Sequence, residues 1–130
     1  MHDPEFVDFY GHRMNVGHPR MVPERKEELL EALGSGKYEK GKDVLRKADR
    51  FCCLGVECNL YRIHRADAQW RKRAAGYTYD TCSFMGAGVL LPSAVAEWSG
   101  ISSLAQDNLA KINDSTETFD EVIEYIETYL

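Results

Sequence analysis

The segment RFCCLGVECNLYRIH, residues 50–64, restricts the possible folds more than any other part of the chain. It carries three of the four cysteines, and Phe51-Cys52-Cys53-Leu54 offers water no polar side chain. At helical spacing Cys53, Val56 and Leu60 adjoin Cys58 and Tyr61, which makes a broad apolar face. The pattern predicts a buried strand end running into a core helix. Gly55 sits where a neighbouring backbone would come close.

Cys52, Cys53, Cys58 and His64 admit a metal site, a reactive thiol or a core. Zinc ligands usually pair about two to four residues apart so that both reach one tetrahedral ion. The gaps here are five or six residues, and Cys58 and His64 point to different faces of a helix. A catalytic thiolate needs a positive, partly open setting. Arg50 and a helix start could supply one for Cys52 and Cys53, with Cys82 as a third candidate. The apolar flanks Phe51 and Leu54 argue for burial, where free cysteine is common. A disulfide framework is not expected, because Cys52 and Cys53 are adjacent and no basic-then-apolar leader opens the sequence. The favoured reading is a reduced core in a cytoplasmic protein, with no metal and no cofactor.

At 130 residues the chain suits one domain, and no apolar run approaches the ~20 residues that span a bilayer. Residues 1–21 read as an N-terminal arm, with Phe6, Phe9 and Tyr10 on one side of a short helix that could dock on a globular domain of residues 22–130. Pro23 opens a helix, ERKEELLEAL, stopped by Gly34-Ser35-Gly36. Residues 37–50 predict short strands or an irregular loop, residues 65–76 a basic exposed stretch, and YTYDTCSF a strand. Met85-Gly86-Ala87-Gly88 reads as a flexible connection, since it does not lead from a strand into a helix as a dinucleotide loop would. Pro92 starts a short helix with Val95 and Trp98 inward, closed by Gly100. SSLAQDNLAKI predicts a helix burying Leu104, Leu109 and Ile112, followed by a corner at Asn113-Asp114-Ser115. Thr118 and Glu121 form a capping box for a last helix, which buries Phe119, Val122, Ile123, Ile126 and Leu130 behind an acidic outer face. The fold class is α+β, one compact helix-dominated domain with a few short strands.

Charge is distributed unevenly: −3 over residues 1–36, +6 over 37–73 and −8 over 74–130. The basic middle could face a partner or the protein's own acidic part. The overall negative charge weighs against nucleic acid as a partner.

The order LLEALGSGKYEKGKDVLRKADRFCCLGVECNLY, LLPSAVAEWSG and LAKINDSTETFDEVIEYIE resembles an uncharacterised group of small proteins from bacteriophages, prophages and actinobacteria. Its members share an FCCLG segment, an LPxxVxxWxG helix and an LxxxND turn before an amphipathic helix. The likeness covers about residues 27–128. It implies a cytoplasmic protein of a mobile element and transfers no catalytic residue.

The expected function is stoichiometric binding to a host protein or defence component. The docking residues would be Arg65, Arg71, Lys72 and Arg73, with the acidic last helix as a second face. The alternative is a sponge or sensor for a nucleotide-like small molecule, held by Arg46, Arg50, Tyr79, Trp98, Asn113 and Asp114, because guanidinium forks and aromatic planes suit phosphates and bases. A cysteine-dependent enzyme is the third reading.

Overall fold

The structure, a computed structural model, describes residues 20–72 and 80–130, and two further strands at Glu5–Val7 (β1) and Arg13–Asn15 (β2). These two pair antiparallel, with Phe6 opposite Met14. Phe6 therefore lies in a strand and not in the short helix expected of the arm; Phe9 and Tyr10 lie outside the described residues.

The helices are α1 (Pro23–Gly34), α2 (Cys53–His64), α3 (Ser93–Ser99), α4 (Ser103–Ser115) and α5 (Asp120–Tyr129). Short strands β3 (Glu39–Lys40), β4 (Arg46–Lys47), β5 (Arg50–Phe51), β6 (Trp70–Lys72) and β7 (Thr81–Phe84) form one sheet in the order β3-β5-β4-β7-β6. Only β3 and β5 run parallel. The class is α+β. The basic stretch 65–76 contributes strand β6, and the strand expected at YTYDTCSF begins at Thr81.

Helix α2 is the hub, packed against α1, α3, α4 and strand β5. Its residues Cys53 to Cys58 are all buried, as expected of a helix that is apolar nearly all round. Close packing depends on Gly55, where an added Cβ would stand 1.8 Å from the Leu45 carbonyl oxygen. Leu45 is itself fully buried, and its carbonyl accepts the Cys52 N–H at 3.1 Å. The two ends of the described domain are stitched together, with the Met21 N–H donating to the Leu130 carbonyl at 3.1 Å and the Val22 N–H to the Ser99 carbonyl at 2.9 Å.

Three local expectations are corrected. Helix α4 continues through Asn113-Asp114-Ser115 instead of turning there. Asn113 is held inside the helix end because its side chain bonds other segments and leaves its own backbone helical: Oδ1 accepts the Cys53 N–H at 3.1 Å and Nδ2 donates to the Gly41 carbonyl at 2.9 Å. Leu104 is only half-buried, and Ala105, Asn108, Leu109 and Ile112 carry the inner face. Phe119 occupies the N-cap of α5, while Thr118 accepts the Asp120 N–H at 3.3 Å from just outside.

Candidate functional site

The four cysteines are free and buried. Burial pushes the Cys52 thiol up to about 11 and those of Cys53 and Cys58 well above the ordinary range, so at neutral pH they hold their protons and are poor nucleophiles. Cys52 is the N-cap of α2, its Sγ accepting the Gly55 N–H at 3.4 Å. Among the described residues, no group of three His, Cys, Asp or Glu is placed to hold a metal ion.

Of the residues assigned to a small-molecule pocket, Arg50 and Asn113 both flank Gly41, and Trp98 stands apart from them. Arg46 stacks its guanidinium over Phe51 at 4.9 Å and Trp70 at 5.4 Å and donates to the Ala48 carbonyl. Arg50 is exposed, because it precedes buried Phe51 on β5 and successive residues face opposite sides of a sheet. Trp98 lies beyond a chain of ring contacts, Trp70–Phe84–Tyr61–Trp98, with Arg25 over its indole at 4.6 Å. Asn113 and Asp114 clip the 39–43 segment to α4: Asp114 accepts the Asp43 N–H at 2.9 Å, and the Lys40 ammonium donates to the Asn113 and Thr116 carbonyls at the helix C-terminus. Their polar atoms are spent on the fold. Tyr79 lies outside the described residues.

The docking residues are better gathered. Among the described residues strand β6 forms one edge of the sheet, paired to β7 with Arg71 opposite Ser83. Trp70 turns inward and donates its indole N–H to Asn59 at 3.1 Å, which leaves Arg71 outward. A shallow groove of about 230 Å³ runs beside the strand, lined by Tyr61, Asp67, Gln69, Arg71, Met85 and Gly86. Arg71 and the acidic Asp67 line this groove, and Arg65 lies over the ring of Tyr61, another lining residue, at 5.7 Å. The turn after β7 is tight, with positive φ at Met85 and Gly86 and Phe84 bridging to Ala87. It holds Met85, Val89 and Leu90 outward at 49%, 50% and 40% exposure. Lys72 is exposed on the same strand, and Arg73 lies outside the described residues.

A model of a protein family, described as a domain of unknown function (DUF8296), matches residues 21–130. The chain belongs to that family. The match spans all five helices and the five-stranded sheet, so α2, its cysteines and the β6 edge are parts of the family's domain. No curated protein and no solved structure matches the chain. No helix among the described residues is long and apolar enough to cross a membrane.

Sequence reasoning passed over one feature of this domain. Glu57 is fully buried on α2, and neither of its carboxyl oxygens has a hydrogen-bond partner among the described residues. It faces Glu28 and Arg25 of α1, and Glu28 binds the His64 ring at 2.8 Å through its other oxygen. Desolvation, then the Glu28 charge, push the Glu57 carboxyl up to about 8. The signal was present: one acid in an otherwise apolar six-residue run has no outer face to occupy.

Proposed function

We propose that the protein acts by stoichiometric binding and docks an acidic, partly apolar segment of another protein along β6. An edge strand offers a row of backbone groups to an incoming strand. Here Arg71 adds positive charge and Met85 adds exposed apolar surface in the groove, and Arg65 lies over the adjoining Tyr61 ring. The observation that carries the reading is the position of β6 at the sheet edge among the described residues, with Arg71 lining the groove beside it. The partner class is a host protein or a defence component, in keeping with the resemblance to phage, prophage and actinobacterial proteins. The bacterial cytoplasm is the corresponding compartment.

A photo-crosslinking residue in place of Gln69, expressed in the bacterial host, tests this directly. One predominant crosslinked protein is expected, and it disappears in the Arg65→Glu/Arg71→Glu variant. Crosslinks that survive that double charge reversal would contradict the docking face. The nucleotide-like alternative would take its place if cyclic dinucleotides or ADP-ribose derivatives raise the melting temperature and Arg46→Glu/Arg50→Glu abolishes the rise, since a ligand of the native state stabilises by mass action.

A further inference from the structure

The seam where α1, α2 and α3 meet contains a polar cluster that the docking reading does not use. Glu57 lies at its centre on α2, fully buried, with neither oxygen hydrogen-bonded among the described residues. From α1, Glu28 presents a third such oxygen, while its Oε2 binds His64 at the C-terminal end of α2. Arg25, one helical turn before Glu28, is the cation that acts on the Glu57 charge, yet its guanidinium lies over Trp98 of α3 at 4.6 Å. Trp98 does not ionise, but the His64 ring lies 5.3 Å from it, and the charges that act on the Glu57 carboxyl come from Glu28 and Arg25 of α1. On its own helix Glu57 adjoins the Cys58 thiol, which keeps its proton.

An ionised carboxylate cannot stay dry and unpaired in such a place. A protonated one can, and that form leaves Arg25 free to rest on the indole. Once the proton is gone, Arg25 has a stronger claim on its charge than the ring quadrupole provides. We infer that the seam is a proton-operated latch: protonated Glu57 leaves Arg25 on Trp98, and loss of that proton to solvent draws Arg25 from the indole to the carboxylate. The latch stands apart from the docking reading, although Tyr61, which touches Trp98 at 5.3 Å, also lines the groove beside β6.

The test uses the full chain carrying Trp70→Phe, which leaves Trp98 as the single tryptophan of the two. Its emission is expected to shift between pH 7 and 9 with a midpoint near 8, where burial places the Glu57 carboxyl. Adding Glu57→Gln should abolish the shift. Arg25→Met should also abolish it, while the infrared band of the protonated carboxyl still titrates. Glu28→Gln, which removes a like charge, should move the midpoint to lower pH and keeps the inference testable if Glu57→Gln does not fold. Flat emission overturns the latch. A shift that persists in Glu57→Gln or Arg25→Met, or a midpoint indifferent to Glu28→Gln, does the same.

Discussion

Glu57 and Gly55 show how much of this fold rests on single atoms. The folded Glu57 carboxyl keeps its proton up to about pH 8, against an ordinary value of 4.5. Between those pH values the native state binds more protons than the unfolded chain, so stability is greatest at the acid end and falls as pH rises. The slope is about 1.4 kcal/mol per pH unit. Glu57→Gln removes this term. In denaturant titrations its stability relative to the parent should improve by about 4 kcal/mol from pH 5 to pH 8. A difference that does not change with pH would show that the carboxyl does not hold its proton. Gly55 is limited by space: alanine there would place a methyl 1.8 Å from the Leu45 carbonyl oxygen, and backbone cannot yield as a flexible side chain can. Gly55→Ala should cost about 3 kcal/mol, visible as a lowered denaturant midpoint. An unchanged midpoint would mean that α2 and the Leu45 segment can move apart freely.

At the level of elements, the ends of the helices carry the information that local rules miss. Asn113 sits in the last turn of α4, yet its side chain serves the first turn of α2 by accepting the Cys53 N–H, one of the donors a helix start leaves unpaired. It also holds the Gly41 carbonyl. Asn113→Ala would leave both groups buried without that partner and should cost about 3 kcal/mol in chemical unfolding; a loss of only a few tenths would mean that water replaces the amide. The sequence made the interior of each helix legible. Pro23, Pro92 and Gly100 marked boundaries that the structure keeps, and the repeat of Val122, Ile123 and Ile126 placed α5. The same local chemistry misled at Asn113-Asp114 and Thr118, because the partners that decide those ends lie 60 or more residues away for Asn113, and because Thr118 satisfies α5 from one step outside its cap. Leu104 missed the core for a related reason. The inner face of α4 is fixed by where Asn108 meets Tyr125, with a 2.9 Å bond from the amide to the phenol oxygen, and helical period alone does not reveal that meeting.

On the scale of the whole molecule, the uneven charge acquires a direction. Exposed Asp120, Glu121, Glu124 and Glu127 line the outer side of α5, and Arg71 lines the groove beside β6 at one end of the sheet order. Part of the basic middle faces the protein's own C-terminal part, where Lys42 pairs with Glu117 at 3.0 Å, so it is Arg71 that the proposed docking of an acidic partner would use. The candidate site was half legible: sequence singled out Arg71 by local charge, but Met85 and Gly86 join it in one groove through the β6–β7 pairing. Conversely, Arg46 and Trp98 looked like neighbours in composition, yet they lie at separate stations along a row of rings.

Native mass spectrometry of the protein recovered gently from its own host's lysate tests the central claim most directly, with the Arg65→Glu/Arg71→Glu variant beside it. The account predicts a parent protein carrying one protein partner at a fixed ratio and a variant that flies bare. A bare parent mass, or a partner retained equally by the variant, would contradict docking through the β6 edge.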